Sequence, residues 1–450
     1  MMTAPAWLAI GNRHVVLALL LLAYILSFID RNIMAILVGP IRDDFNISDF
    51  EYGLLNGLAF SLMYTFLGIP IGWLADRRNR TRIIAWGTGF WSVMTVVCGL
   101  SSGFASLFLA RVGVGVGEAA LSPPAHSLLS DYYPKRQLPV VMAIFTLGIP
   151  VGVGVSYSVG GWVYGWFAAY GSVSVPWLGE LRPWQLTFMM VGLPGFLLAL
   201  LLARVVEPVR TGLLHRQDAM SFADVSGFLR QHRRVYFAVF AAVACLAIMG
   251  YGFMLWFVAH MSRVYGIPEY QISKVFGLLY LLCGSLGTLF GAWLSGWLAA
   301  RGHADAGVRT ILVVALLWLL PAVMAPLMPT VQTAYLMAAP CIFLLNGYFG
   351  VSIASLQLVT PNQMRAQVSA VLLFMGNVFG LAIGPAMIGL LSDRLFSGSH
   401  SLGYALACIG ALFCPLAIAC LWSSLPAYRR LLGLADSGWG MPSAADRGSQ

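Results

Sequence analysis

The chain has 450 residues, of which 59% are hydrophobic and only 10% are charged, and its mean hydropathy is +0.82. This composition excludes an ordinary soluble protein. The net charge of +9 does not indicate a nucleic-acid partner, because most of the 26 arginines and lysines lie in or next to the breaks between apolar runs and not on one basic face. We therefore expect a membrane protein with no nucleic-acid partner.

Apolar runs recur from Val15 to Leu425 with short polar breaks between them. A helix needs roughly 20 apolar residues to span a bilayer, and lipid forces the backbone to satisfy its own hydrogen bonds. The pattern predicts an all-α membrane protein with twelve transmembrane helices in two pseudo-symmetric six-helix bundles. The predicted spans are residues 15–39, 50–74, 82–102, 104–126, 138–165, 184–206, 235–259, 271–298, 309–328, 332–358, 366–391 and 402–424.

The charged stretch from Glu207 to Arg234 has no long apolar run and divides the chain into halves. The last twenty residues are rich in Pro, Gly, Ser and Ala and show no periodicity, which is typical of disorder. The predicted organisation is an N-terminal bundle over residues 1–206, a cytoplasmic linker over 207–234, a C-terminal bundle over 235–425 and a disordered cytoplasmic tail over 426–450.

The two halves resemble each other at an offset of 224 residues. The pair Gly72 and Trp73 matches Gly296 and Trp297, and Arg77 matches Arg301. Such repeats are typical of duplicated transporter halves.

Most of the cationic residues fall on the side that holds both termini. By the positive-inside rule, we expect a multi-pass protein of the inner membrane with both termini in the cytoplasm.

Four ionisable residues lie inside the predicted spans: Asp30 and Arg31 in the first, and Arg111 and Glu118 in the fourth. Each costs roughly 2.5 to 3.5 kcal/mol in mid-membrane, so each needs a partner or a wet cavity. Asp30 could pair with Arg111 and Arg31 with Glu118, or both pairs could form through a substrate.

A purely structural ion-pair cluster is the alternative. The corresponding positions of the second half hold Met254, Leu255, Tyr335 and Ile342. A shared structural need would have placed charges in both halves, so the pattern favours a functional site.

The sequence contains no H-E-x-x-H or G-x-S-x-G motif, and neither of its lysines, Lys135 and Lys274, follows a glycine as in a Walker A loop. Its seven cysteines lie in apolar runs without a C-x-x-C motif. We expect no enzymatic activity, no cofactor and no metal site, so any uphill transport must use an ion or solute gradient.

The segment Gly72-Trp73-Leu74-Ala75-Asp76-Arg77-Arg78, with Arg80 and Arg82, resembles the signature cytoplasmic loop of the major facilitator superfamily. The family usually has a glycine where Asn79 stands. The segments Ser27-Phe28-Ile29-Asp30-Arg31 and Arg111-Val112-Gly113-Val114-Gly115-Val116-Gly117-Glu118 resemble the spinster-like branch, whose members export sphingosine-1-phosphate and lysophospholipids and whose bacterial relatives are considered proton-coupled.

The resemblance implies a monomeric, proton-coupled bacterial homologue that works by alternating access on an anionic amphipathic lipid. The implied substrate-binding residues are Tyr24, Ser27, Arg31 and Arg111. The implied proton-coupling residues are Asp30 and Glu118, and the implied gate residues are Asp76, Arg77 and Arg80.

Other functions stay open at this point. A transporter of small organic anions, such as sugar acids or aromatic acids, or of drugs, would use the same arginines. A membrane sensor or scaffold would need a further folded domain, for which the linker and tail are too short.

Overall fold

A computed structural model of the chain describes residues 10–75, 77–134, 137–177, 179–209, 222–361 and 364–436. The chain divides into two compact units. The described residues of the first unit lie within Met1–Leu213, Tyr251–Leu282 and Leu381–Ala405. Those of the second lie within Leu214–Gly250, Cys283–Gly380 and Leu406–Gln450. Two segments of the predicted C-terminal bundle thus pack with the N-terminal half, unlike the predicted division at residues 207–234.

The N-terminal half is built of helices joined by short turns. A 3₁₀ turn at Ile33–Ile36 and a π-helical turn at Ser156–Gly160 interrupt them. A short antiparallel β-hairpin is also present, which the prediction of an all-α fold did not include. The elements are α1 (Arg13–Asn32), α2 (Val38–Phe45), α3 (Asp49–Asn56), α4 (Leu58–Ala75), α5 (Arg80–Gly99), α6 (Phe104–Glu118), α7 (Ser122–Tyr132), α8 (Leu138–Thr146), α9 (Gly148–Val155), α10 (Gly161–Tyr170), β1 (Val173–Val175), β2 (Gly179–Leu181) and α11 (Pro183–Leu202).

The C-terminal half is helical throughout its described part. π-helical turns at Tyr280–Gly284 and Gly376–Ile383 and a 3₁₀ turn at Ala325–Leu327 interrupt its spans. The helices are α12 (Phe222–Gln231), α13 (Arg233–Tyr265), α14 (Glu269–Leu279), α15 (Ser285–Ala300), α16 (Ala306–Met324), α17 (Val331–Gly347), α18 (Phe349–Leu358), α19 (Arg365–Met375), α20 (Gly384–Arg394) and α21 (Ser401–Asp436).

Among the described residues, 10 continuous helical stretches are long and apolar enough to cross a membrane. They coincide with ten of the predicted spans. The other two predictions, 50–74 and 82–102, correspond to α3 with α4, which a turn at Gly57 separates, and to α5. The architecture is therefore consistent with twelve membrane-spanning segments.

Glycines let the helices around the charged residues approach closely. A Cβ atom on Gly117 of α6 would lie 2.7 Å from the Cβ of Trp91 in α5, and one on Gly113 would lie 2.5 Å from the sulfur of Met94. A Cβ on Gly115 would collide with the carbonyl oxygen of Phe60 in α4. Small residues at such crossings are how membrane helices pack tightly, and here they hold α6 against both neighbours.

The internal repeat predicted from the sequence has a structural counterpart in each unit. In the first unit, the guanidinium of Arg77 lies 3.6 Å from the ring centroid of Trp73. In the second, the guanidinium of Arg301 lies 3.7 Å from the ring centroid of Trp297. The same cation–π contact at both matched positions confirms the repeat at this loop.

The two C-terminal segments that belong to the first unit, Tyr251–Leu282 and Leu381–Ala405, contact its N-terminal helices near the start of α3. Arg263 of α13 donates to both carboxylate oxygens of Asp49 at 2.6 and 2.7 Å, and Arg42 pairs with the same carboxylate at 3.0 Å. Burial opposes ionisation of Asp49, but the hydrogen bonds and charge of Arg263 outweigh it and hold its pKa below the usual value. α20 also packs on α3, where Asp393 accepts from the amide of Phe50 at 2.8 Å.

The end of α21 shows that the prediction of a disordered tail from residue 426 is wrong as far as Asp436. Tyr428 is buried and its hydroxyl donates to the carbonyl of Ser355 at 2.7 Å. Arg429 and Arg309 each donate to the buried carboxylate of Asp305 at 2.6 Å. Burial raises the pKa of Asp305, but the bonds from Arg429 and Arg309 more than offset this, so its pKa is lowered. The rest of the predicted tail, residues 437–450, lies outside the described residues.

We predict that Arg429→Ala loosens the last turns of α21. Asp305 is buried but Arg429 is exposed to solvent, which screens the pair. Such a pair contributes about 0.2 to 1 kcal/mol, so amide hydrogen exchange over residues 427–436 should become faster by up to about 5-fold. Mass spectrometry of exchange in detergent measures this. Arg430→Ala, a change at the exposed neighbouring residue, is the matched control and should leave exchange unaltered. Equal exchange in both variants would show that Asp305 does not anchor the helix.

Candidate functional site

The centre of the first unit contains a buried ion pair between α1 and α6. Arg31 Nη2 lies 2.6 Å from Glu118 Oε2, and Ser27 Oγ donates to the same oxygen at 2.7 Å. Arg31 is 7% exposed and Glu118 is 1% exposed. The predicted pairing of Arg31 with Glu118 is confirmed, and Ser27 contributes by holding the carboxylate.

Three aromatic rings surround the Arg31 guanidinium. Its central carbon lies 4.6 Å from the ring centroid of Phe28, 4.5 Å from that of Phe60 and 4.7 Å from that of Tyr64. Such contacts gain strength where water is excluded. Phe28 could have been found from the sequence because it stands one helical turn before Arg31. Phe60 and Tyr64 carry no local signal, since they belong to α4.

The predicted pairing of Asp30 with Arg111 is wrong, because Arg111 makes no ion pair with the carboxylate of Asp30. Its Nη1 donates to the backbone carbonyl of Asp30 at 3.0 Å, and its Nη2 lies 3.5 Å from that of Arg31. The carboxylate of Asp30 instead accepts from Thr95 Oγ1 at 3.0 Å. The last carbonyls of a helix lack partners within the helix and carry the negative end of its dipole. Arg111 therefore caps the end of α1 from α6.

Several polar atoms of this cluster have no hydrogen-bond partner among the described residues: Arg31 Nε, Arg111 Nε and Glu118 Oε1. Leaving a buried polar group without a bond costs roughly 1 to 3 kcal/mol, and more if it is charged. The ion pair thus retains one donor and one acceptor that a substrate or a proton can satisfy.

Arg31 also lines a narrow cavity, whose free volume of about 20 Å³ in this conformation holds about one water molecule. Met254 and Leu255, the second-half counterparts of Asp30 and Arg31, lie in its wall, so the two matched positions face one space. The lining residues all belong to the first compact unit and are Phe28, Arg31, Asn32, Ala35, Asn56, Tyr251, Met254, Leu255 and Leu381.

The other predicted substrate-binding residues lie outside this lining. Tyr24 stacks on Phe145 with ring centroids 4.6 Å apart, and Ser27 and Arg111 are committed to the contacts described above. We did not predict Asn32, Asn56 or Tyr251 from the sequence, because a neutral amide or a tyrosine in an apolar run carries no signal comparable to a charge.

The predicted gate residues are separated in the structure. Asp76 lies outside the described residues, and Arg77 is exposed on Trp73. Arg80 is buried and binds Asp131 at 2.5 Å, Glu207 at 2.7 Å and Ser127 Oγ at 2.9 Å. It therefore ties the start of α5 to α7 and to the segment after α11, and a gating role for the three residues stays a prediction.

The comparisons with known proteins agree with this geometry. The Major Facilitator Superfamily model matches residues 20–385. An MFS-type efflux pump of Mycolicibacterium smegmatis is 30% identical over 430 residues, which cover 94% of both proteins. The crystal structure of a bacterial homolog to the human lysosomal transporter Spinster, inward-facing and unoccupied, has a TM-score of 0.75 at 27% identity and covers 94% of this chain and 95% of its own.

Two further relatives are named for their substrates. The sphingosine-1-phosphate transporter SPNS2 of Xenopus tropicalis is 25% identical and covers 88% of this chain and 77% of its own length. A probable L-galactonate transporter of Escherichia coli is 23% identical and covers 89% and 87%. The helical spans, the repeated loop and these full-length matches lead to one conclusion: this multi-pass membrane protein belongs to the major facilitator superfamily and is spinster-like within it.

Proposed function

We propose that the chain is a proton-coupled secondary transporter of an anionic amphipathic lipid, such as a lysophospholipid or sphingosine-1-phosphate, and that it works by alternating access. The observation that carries this proposal is the position of Arg31, paired with Glu118 behind it, in a cavity wall that also contains apolar residues. A guanidinium suits a phosphate, while Met254, Leu255 and Leu381 offer contacts to an acyl chain.

Transport would be coupled to protons because the buried charge of Arg31 must always be balanced by a negative charge. Removing one partner of a buried ion pair costs about 3 to 5 kcal/mol, so Arg31 without a negative partner is strongly disfavoured. Two states avoid this cost: Arg31 bound to Glu118, or Arg31 bound to a substrate anion while Glu118 carries a proton. Asp30, whose carboxylate is held by Thr95, is the second candidate for the proton-binding acid.

A transporter of small organic anions or drugs is the second candidate function. The probable L-galactonate transporter and the efflux pump among the relatives favour it. Met254, Leu255 and Leu381 in the cavity wall favour the lipid, because a sugar acid has no acyl chain to place against them.

We propose that the protein is a monomeric carrier of the inner membrane. We also propose that both of its termini lie in the cytoplasm. The support for this orientation is the excess of arginine and lysine on the side of the termini.

We predict that Arg31→Ala lowers exchange of a labelled lysophospholipid by about 10- to 100-fold, since a hydrogen bond to a charged group contributes about 1.5 to 3 kcal/mol. Counterflow in proteoliposomes, with and without a pH gradient and with sphingosine-1-phosphate alongside, measures this. Arg430→Ala, which removes a guanidinium far along the chain in α21, should exchange lipid at the wild-type rate. If the unaltered, folded protein exchanges no lipid but does exchange organic anions, the second candidate function replaces the first.

The orientation has its own test. A cysteine at Ser172, an exposed residue of the loop before β1, should react with an impermeant thiol reagent applied to intact cells. A cysteine at exposed Gly433 should react only after the membrane is permeabilised. Both variants require Cys408, an exposed native cysteine, to be replaced by alanine. Protection of Ser172→Cys in intact cells would reverse the proposed topology.

A further inference from the structure

Asn56, at the end of α3, is a buried amide that lines the cavity beside Arg31. It is 8% exposed, and its side chain forms part of the cavity wall. Buried polar groups are usually hydrogen-bonded, and a ligand in the cavity would offer this amide a partner. The Asn56 amide is therefore available to a ligand.

Asn32 offers a second neutral group to the same cavity. Its Nδ2 donates to the carbonyl of Phe28 at 2.8 Å, within α1. This bond fixes the orientation of the amide and leaves its oxygen as the acceptor for a ligand. One amide from α1 and one from α3 thus accompany the guanidinium of Arg31 in the cavity wall.

Among the described residues, the lining of the cavity carries a positive charge and no negative charge. Arg31 is the one charged residue among the described residues that line the cavity, and no carboxylate stands in this lining. Glu118 is engaged by Arg31 and Ser27. A phosphate would find a partner here and hydroxyl groups would find amides, but an ammonium group would lose its water without gaining a negative partner.

Resting on the proposed lipid transport, we propose that Asn56 and Asn32 select a head group that carries hydroxyl groups beside its phosphate and has no ammonium group. Among single-chain phospholipids, this class is represented by lysophosphatidylglycerol. Lysophosphatidylcholine and sphingosine-1-phosphate each add a positive nitrogen and bind less well. The amides determine specificity, while Arg31 supplies the attraction that all phosphate-bearing lipids share.

The experiment compares counterflow of labelled lysophosphatidylglycerol, lysophosphatidylcholine and sphingosine-1-phosphate in proteoliposomes of the full chain. The wild-type protein should prefer lysophosphatidylglycerol. Asn56→Leu, which removes the amide at similar volume, should lower exchange of lysophosphatidylglycerol relative to that of lysophosphatidylcholine about 3- to 10-fold, as expected for one neutral hydrogen bond.

Asn56→Asp is the sharper variant because it adds a carboxylate to the lining. It should raise the ratio of lysophosphatidylcholine to lysophosphatidylglycerol exchange about 10-fold. Asn46→Asp, the same substitution at an exposed residue after α2, should keep the wild-type ratio. Because a ratio is measured, partial misfolding of a variant does not imitate the result.

The outcomes separate the two proposals. If all three lipids are exchanged equally, or if Asn56→Asp leaves the ratio unaltered, the selection by the amides is wrong while lipid transport stands. If the folded wild-type protein exchanges none of the lipids, both the transport of lipids and the selection among them are overturned.

Discussion

A guanidinium and a carboxylate that are both removed from water must compensate each other, and the central part of the first unit is arranged around this requirement. Arg31 binds Glu118 at 2.6 Å, and Ser27 binds the same carboxylate. The glycines of α6 let this helix pack closely on α4 and α5, and Arg111 of α6 caps the last turn of α1, on which Arg31 stands. Moving either charge would cost several kcal/mol, so the pair can separate only when other charges replace it.

The cavity beside the ion pair has a charged wall and an apolar wall. α1 contributes Arg31, whereas the matched positions of α13 contribute Met254 and Leu255. A duplicated sequence has thus kept its loop contacts, with Arg77 on Trp73 and Arg301 on Trp297, but has lost its symmetry at the centre. A charged wall facing an apolar wall matches an amphipathic substrate, whose head and tail require different surroundings.

The sequence was sufficient to predict the spans, the repeat and the pairing of Arg31 with Glu118, because charges in an apolar run can be satisfied in few ways. It could not show that Arg111 binds the backbone of α1, since backbone carbonyls carry no sequence signal. Asn56 and Tyr64 were missed because they reach the site from helices other than those with the charges. The helix beyond residue 426 was missed because Arg429 is polar in sequence, and only its contact with Asp305 reveals that it is anchored.

In the proposed transport cycle, a substrate anion takes the place of Glu118 on Arg31 while Glu118 takes up a proton. Titration calorimetry of lysophosphatidylglycerol at neutral pH, in buffers of different ionisation enthalpy, tests this directly, because the phosphodiester of this lipid does not itself titrate there. We expect an uptake close to one proton per lipid bound, which Glu118→Gln abolishes while binding remains. Tight binding by the wild-type protein with no dependence on the buffer would show that binding of the anion and protonation of Glu118 are not linked.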